Sequence, residues 1–350
     1  MSIFKNKLIL EVRKKMKNLI ILLFVVTITL GMFTVSLAAI EPEYVWTWNT
    51  GAVPTAAHAQ GGEVFAKELE RLTDGKVIVK TYYAGSLFPA EAQVTAVSRG
   101  VLDFCGDIDP NVLIADQVPS LGMLASAYLW KDSQHMTSVL NGEIGKEISD
   151  IVAEKTNIRL LSAAYMGTRQ LGVRDIGRVI KTPADMKGVK LRMPNSQSWL
   201  FMGEALGGNP TPLSNSENYM ALKTGTIDAQ DNPLPNVIAR KFYEVTKYII
   251  MTGHYISPNM LGINEKLWQS LTPELQDNIM AAADKAREFV DNLIKEQEAE
   301  AVAFLKGKGM EFIEVDRDLW REHVKNYYLA NKISSQWDMD LYNRIESAAK

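Results

Sequence analysis

The order of strand and helix patterns at the start of the chain constrains the fold more than any other feature of the sequence. Residues 44–48 alternate like a β-strand, residues 56–73 carry an amphipathic helical pattern, and residues 76–83 predict a second strand. A helix over 91–98 and a short strand over 101–105 follow after short connections. This order is typical of a right-handed parallel α/β sheet.

Part of this pattern recurs later in the chain. Residues 96–104 (AVSRGVLDF) and 221–229 (ALKTGTIDA) both end a helix at a Gly and then open a strand with an apolar–Asp pair. Helix–Gly–strand is common, and nine residues can coincide. Both copies, however, lead directly into polar residues, 107–111 and 230–233. Two α/β lobes that face each other across a cleft would place the copies on opposite walls.

The later part of the chain predicts the elements that would join two lobes. An apolar strand over 158–164 precedes a polar turn over 167–174, and residues 248–251 predict a strand that crosses back to the first lobe. After residues 270–274 (SLTPE), a capping box with Pro in the first turn, one uninterrupted helical pattern runs to about Leu305, a length of roughly 45 Å. Such a helix is long enough to brace both lobes.

The N-terminus has the pattern of an export signal. Residues 1–38 hold six Lys or Arg and one acid, and the uncharged apolar run over 19–35 precedes small residues at Ser36 and Ala38. This predicts a secretory signal peptide cleaved after Ala38. Because the apolar run approaches membrane-spanning length, an uncleaved N-terminal anchor is the alternative.

Composition and motifs exclude several function classes. After residue 38 the chain carries 32 basic and 40 acidic residues, a formal charge of −8, whereas nucleic-acid phosphates need a basic surface. The sequence has no GxSxG, GxxxxGK[ST] or GxGxxG motif, and its four His lie far apart. We therefore expect no nucleic acid, no cofactor and no metal. Cys105 is the only cysteine and is expected to be a small buried residue.

Three polar residues are candidates for a common anion site. Arg192 ends a short predicted strand over 189–193, which Pro194 terminates. Ligands of open α/β sheets bind beyond the carboxyl ends of strands, where a guanidinium can pair bidentately with a carboxylate. Arg169 and Asn232 also follow apolar segments and precede a turn or a breaker. An isolated Arg would more often pair with a neighbouring acid, but the three together favour an anion site.

Six segments carry a family resemblance, and they are residues 165–170 (YMGTRQ), 186–195 (MKGVKLRMPN), 210–212 (PTP), 216–219 (SENY), 228–233 (DAQDNP) and 241–245 (KFYEV). In these segments and their order, the chain resembles the DctP-type extracytoplasmic solute receptors of tripartite ATP-independent periplasmic (TRAP) transporters. The resemblance implies an α/β, two-lobe, periplasmic-binding-protein-like fold with hinge strands and a ligand cleft. It also implies a periplasmic, usually monomeric receptor that closes over an organic acid and delivers it to a sodium-driven permease.

The predicted lobes have the following bounds. Lobe 1 comprises residues 44–164 plus roughly 254–300, and lobe 2 comprises residues 165–253 plus roughly 301–350.

The resemblance also implies roles for individual residues. The Arg that corresponds to Arg192 grips the ligand carboxylate, and the residues that match Arg169 and Asn232 assist it. Asn49 matches an Asn that often reaches the ligand. His254 matches a His near the cleft of sialic-acid receptors, although a buried structural role is favoured for it here.

Several residues depart from the family pattern or are further candidates for ligand contact. Asp231 stands where Glu is typical, and Asn215 stands where sialic-acid receptors have an aromatic residue. Asp107 and Asp109 crowd one wall and either cap a helix or accept sugar hydroxyls. Trp199 lies on a helix after Pro194 and is a candidate for facing the cleft.

These features favour a sugar acid, of the uronate or aldonate class, as the ligand. A hydroxyl-rich ligand needs many donors and acceptors, and the site is unusually rich in Asn and Asp. Sialic acid, a C4-dicarboxylate and a keto acid are the alternatives within this class of receptor. A secreted carbohydrate-active hydrolase, with Asp107 or Asp109 and Asp231 as its acid pair, is the alternative of a different class.

Overall fold

The structure, a computed structural model, describes residues 11, 13–17, 41–214 and 216–348. These residues belong to two units, Met1–Glu41 and Pro42–Lys350. In the first unit residues 13–17 are helical, and most of the predicted signal peptide lies outside the described residues. Within the described ranges, no helix is both long and apolar enough to cross a membrane.

One mixed nine-stranded sheet forms the framework of the second unit. The strands are β1 (Tyr44–Asn49), β2 (Val77–Tyr82), β3 (Phe104–Ile108), β4 (Ile158–Val173), β5 (Lys190–Met193), β6 (Asn209–Pro212), β7 (Ala229–Pro233), β8 (Tyr248–Asn264) and β9 (Glu311–Ile313). Their order in the sheet is β2-β1-β3-β8-β4-β7-β5-β6, with β9 beside β8.

Helices cover both faces of this sheet. The α-helices after residue 41 are α1 (Ala57–Leu72), α2 (Ala90–Ser98), α3 (Ile114–Gln117), α4 (Ser133–Leu140), α5 (Glu143–Thr156), α6 (Gln197–Ala205), α7 (Asn218–Thr224), α8 (Leu234–Ala239), α9 (Glu265–Ser270), α10 (Pro273–Gly307), α11 (Arg317–Ala330) and α12 (Met339–Ser347). Short 3-10 helices occupy Pro119–Ala125, Pro183–Met186, Phe242–Glu244 and Lys332–Gln336.

Two three-stranded parallel groups flank a central antiparallel pair. β1 pairs in parallel with β2 and β3, and β5 pairs in parallel with β6 and β7. The two strands that follow the repeated segment, β3 and β7, lie on opposite sides of the central pair β8–β4. The predicted α/β class is confirmed, and the repeat occupies equivalent places in the two halves of the sheet.

The central pair is longer than the sequence predicted. The predicted end of a strand at residue 164 and the polar turn over 167–174 are wrong, because β4 continues to Val173. It absorbs one extra residue in a β-bulge between Tyr165 and Thr168. Gly167 occupies the bulge with φ +108°, and a Cβ there would lie 2.6 Å from Pro233. The polar side chains that suggested a turn belong to a buried polar site.

The long helix α10 connects the cores on both sides of the central pair. Thr272 caps it by accepting a hydrogen bond from the Leu275 amide at 3.3 Å, and Pro273 occupies its first turn. Its 35 residues span about 50 Å. Along this length Ile279 packs with the core under β1 and β2, Ile294 with the core near β4, and Leu305 with the core beneath α7 and α8. The predicted bridging helix is therefore confirmed.

Candidate functional site

Arg192 is a buried cation one residue before the end of β5. Its side chain is 3% exposed, and its Nε donates a hydrogen bond of 2.8 Å to the carbonyl oxygen of Leu213. Within the described residues, neither Nη atom has a hydrogen-bond partner. Burial lowers the pKa of Arg192 to about 10, so the guanidinium stays protonated at neutral pH. It therefore presents two fixed donors and a full charge.

Arg169, by contrast, is paired with an acid. Its Nε donates to Asp231 Oδ2 at 2.5 Å, and its Nη2 donates to Asp231 Oδ1 at 3.0 Å and to the Asp231 carbonyl at 2.8 Å. The guanidinium lies 4.6 Å from the ring centroid of Trp199, which is buried and packs edge-on against Tyr255 at 5.4 Å. The Trp199 ring thus packs against the guanidinium of Arg169 and helps to hold the Arg169–Asp231 ion pair in one orientation.

His254 completes this network from β8. Its Nε2 lies 3.3 Å from Asp231 Oδ2, and its Nδ1 lies 2.7 Å from Thr252 Oγ1. Burial lowers the pKa of His254, so the ring is neutral at pH 7 and donates to Asp231 while accepting from Thr252. Burial alone would raise the pKa of Asp231, but the charge of Arg169 and the bonds from His254 and Arg169 hold it well below its usual range.

Arg192 has no ion-pair partner of its own among the described residues. The charge of Asp231 raises the pKa of Arg192, and the charges of Arg169 and Arg240 lower it, so these groups lie close enough to interact. The carboxylate of Asp231 is paired with Arg169. Arg192 therefore carries a positive charge without an ion-pair partner in a buried environment, where pairing with an anion is strongly stabilising. The arrangement favours binding of an anion.

A row of amides lies beside Arg192 on the same face of the sheet. Arg192 and Gln230 are in register on neighbouring parallel strands, and Asn232 follows two residues later on β7. Asn232 Nδ2 donates to Gln230 Oε1 at 2.5 Å, and Asn232 Oδ1 accepts from Asn236 at 3.3 Å. The Nε2 of Gln230 is buried and has no partner among the described residues. It lies against Gly172, where a Cβ would come within 2.4 Å.

Gln230 was not among the residues singled out from the sequence. The pairing register of β5 with β7 is what places Gln230 next to Arg192. The pattern of either strand alone does not contain this information.

The loop after β3 brings Asp109 towards the network from the other half of the sheet. Burial raises the pKa of Asp109, and the charge of Arg169 opposes this shift. Asp109 Oδ1 accepts from the Asn111 amide at 2.8 Å, and Asn111 Nδ2 donates to the Tyr255 hydroxyl at 3.0 Å. Ser198, on α6, donates to the Asn111 carbonyl at 2.7 Å. The loop is therefore tied to both the central pair and the opposite half.

Two other candidates have side chains engaged with neighbouring loops. Asp107 accepts from the Thr50 hydroxyl and the Gly51 amide, both at 2.6 Å, and lies 3.4 Å from His58. Asn49 donates to the Phe88 carbonyl at 2.9 Å and accepts from its amide at 3.3 Å. Both brace loops at the carboxyl ends of β1–β3. Asn215 lies outside the described residues.

A comparison with protein families gives one extended match. The family described as "Bacterial extracellular solute-binding protein, family 7" (DctP) matches residues 50–333. The sialic acid-binding periplasmic protein of Vibrio cholerae is 30% identical over 302 residues, which cover 86% of this chain and 92% of the relative.

Solved structures give matches over nearly the same length. A TRAP periplasmic solute-binding protein of Roseobacter denitrificans with bound 3-deoxy-D-manno-oct-2-ulosonic acid is 32% identical, with a TM-score of 0.80 over 87% of this chain and 99% of that chain. A second protein of the same organism, with bound L-galactonate, is 31% identical, with a TM-score of 0.74 over 88% of this chain and 99% of that chain.

Proposed function

The chain belongs to bacterial extracellular solute-binding protein family 7, the receptors of TRAP transporters, and we propose that it binds a sugar acid through Arg192. The observation that carries this proposal is a buried guanidinium whose two Nη donors have no partner among the described residues. A carboxylate fits such a fork bidentately and neutralises the charge that burial leaves unscreened. The bound acid is then delivered to a sodium-coupled permease.

The proposed location and lobes follow from family and topology. Members of the family are periplasmic, so residues 1–38 act as the signal peptide of a periplasmic, monomeric receptor. Lobe 1 comprises residues 44–164 plus roughly 254–300, and lobe 2 comprises residues 165–253 plus roughly 301–350. The continuous strands β4 and β8 are the hinge between them. The Asn111 carbonyl already accepts a hydrogen bond from Ser198 of lobe 2, and the closed arrangement keeps Asp109 and Asn111 of lobe 1 over the Arg192 side of lobe 2.

The ligand is proposed to be rich in hydroxyl groups. Gln230 Nε2 and Asn111 Oδ1 are a buried donor and a buried acceptor without partners in the described part of the chain. A polyhydroxy acid can satisfy both kinds of group, and leaving either unpaired costs about 1–3 kcal/mol. The relatives' bound L-galactonate and octulosonic acid are both polyhydroxy acids. A C4-dicarboxylate would need a second uncommitted cation, whereas Arg169 is already paired.

The geometry favours a receptor over a glycoside hydrolase. Asp231 would have to serve as one of two reacting carboxylates, yet it is fully buried and both of its oxygens accept hydrogen bonds. Asp107 is likewise engaged by Thr50 and Gly51. We therefore propose that the ligand is bound and released unchanged. Turnover of glycosides or of the bound acid by the purified protein would overturn this conclusion.

Calorimetric titration with a panel of acids tests the proposal. The panel contains L-galactonate, galacturonate, the octulosonic acid, sialic acid, a C4-dicarboxylate and a keto acid. Galactitol is the matched control, because it keeps the hydroxyls of galactonate and lacks the carboxylate. We expect one sugar acid to bind most tightly and galactitol not to bind. Tight binding of a dicarboxylate and no binding of any sugar acid would contradict the proposal.

A further inference from the structure

The hinge strand β4 is held by the long helix at the point where its pairing breaks. The bulge between Tyr165 and Thr168 interrupts the ladder with β8. There the Tyr165 amide donates to Asp291 Oδ1 at 2.6 Å, and the Thr168 amide donates to Glu298 Oε1 at 2.7 Å. The Tyr165 hydroxyl donates to Glu298 Oε2 at 2.6 Å. Two carboxylates of α10 thus satisfy backbone donors on either side of the bulge.

The spacing of these carboxylates matches the helix repeat. Asp291 and Glu298 are seven residues apart, about two helical turns, and therefore project from one face of α10. Asp291 is also paired with Arg287 on its own helix at 3.2 Å. Glu298 forms no ion pair in the described part of the chain, and its two hydrogen-bond donors, the Tyr165 hydroxyl and the Thr168 amide, both belong to β4. Its carboxylate therefore acts on the hinge strand rather than on the helix.

The segment held by Glu298 leads directly into the anion site. Thr168 immediately precedes Arg169, whose guanidinium holds Asp231 and stacks on Trp199. A bulge strand without these bonds would have an unsatisfied amide and greater freedom at Gly167. The position of the Thr168 backbone therefore determines the position of the Arg169 Cα atom, from which the guanidinium side chain extends.

We propose that Glu298 is a positioning residue for ligand binding, which locks the β4 bulge to α10 and so sets the relative orientation of the two lobes and of Arg169. This inference rests on the proposed function, since it concerns how the ligand cleft is held. Because α10 packs along both sides of the central pair, the Glu298 bonds couple its position to the hinge. The two lobes then open and close about the β4 bulge, whose geometry is fixed by the Glu298 bonds.

The experiment compares Glu298→Ala with wild type by two readouts. The first is the distance between spin labels at K80C on β2 and K223C on α7, in the two proposed lobes, measured without ligand. Both positions are exposed, and the native Cys105 is buried. The second is the association and dissociation rate of the tightest acid from the panel. Glu300→Ala, an exposed carboxylate on the same helix, is the matched control. Glu298→Gln is the conservative variant, because its amide oxygen can still accept from Thr168.

We expect Glu298→Ala to broaden the distance distribution and to speed dissociation about tenfold, with association changed less than about threefold. Glu298→Gln should recover most of the loss, and Glu300→Ala should match wild type. If Glu298 has only a structural role, Glu298→Ala will lower Tm and leave the distances and rates unchanged. That result would overturn the proposal.

Two further arms keep the test decisive. If Glu298→Ala does not fold, Tyr165→Phe removes the bond from the hydroxyl to Glu298 and should speed dissociation in the same direction, by about threefold. Unchanged rates and distances in Tyr165→Phe would then refute the proposal. If wild type binds none of the acids, the proposed function fails, whereas the ligand-free distances still decide the role of Glu298.

Discussion

Replacing Arg192 by Ala removes the two donors on which the account of binding depends. The Nε already donates to Leu213 in the ligand-free chain, so the ligand can gain only the two Nη donors and the charge. A bidentate, charge-assisted pair in a buried site is worth about 2–4 kcal/mol. Arg192→Ala should therefore weaken binding by roughly 30- to 1000-fold in calorimetric titration. Arg192→Lys should recover less than about tenfold of this, because an ammonium cannot form the fork.

The stability of the same variants gives an independent check. Arg192 carries a buried charge that is not matched by an acid of its own among the described residues, and burial lowers its pKa. Removing that charge while keeping most of the stem, as in Arg192→Met, should leave the Tm of the ligand-free protein unchanged or higher. Wild-type affinity in a folded Arg192→Ala variant would refute the assignment. A large fall in Tm of Arg192→Met would refute the electrostatic argument.

Three further predictions concern the stability of the protein, and each changes a different buried group. Arg169→Ala leaves the Asp231 carboxylate buried without its ion pair, so the free energy of unfolding should fall by about 3–5 kcal/mol in urea titration; a change below about 1 kcal/mol would contradict this. Burial lowers the pKa of His254 in the folded state below its unfolded value of about 6.5, so the unfolded chain binds more protons below that pH. Stability should therefore be lost as pH falls below about 6.5, and His254→Gln should flatten that part of the profile. Gly167→Ala forces a Cβ to 2.6 Å from Pro233 at φ +108° and should lower the free energy of unfolding by more than about 1 kcal/mol; unchanged stability would show that the bulge relaxes freely.

The sequence was informative wherever one local pattern decided the structure. The strand–helix alternation correctly predicted β1, α1, β2 and α2, and the capping pattern over residues 270–274 correctly marked the start of α10, whose N-cap is Thr272. The family resemblance and the two-lobe α/β fold are also confirmed by the match over residues 50–333 and by the solved relatives. The ends of β3 and β4 were less accurate. The turn predicted after residue 164 was wrong because tertiary pairing continues β4 through a bulge.

Features that depend on register between distant segments were not predictable in the same way. Gln230 becomes a neighbour of Arg192 only through the pairing of β5 with β7. In the sequence Glu298 resembles an ordinary acidic residue on a helix surface. In the structure it accepts a hydrogen bond from the amide of Thr168 on β4, 130 residues earlier in the chain. The roles of the individual site residues remain predictions, which the variants of Arg192, Arg169 and Glu298 test.

A crystal structure of the protein with its tightest sugar acid tests the central claim most directly. We expect the acid to be chemically intact between the two lobes, with its carboxylate oxygens about 2.7–2.9 Å from the two Nη atoms of Arg192. Asp231 should still be bound to Arg169. A carboxylate bound elsewhere, with the Nη atoms of Arg192 directed to solvent, would contradict the account.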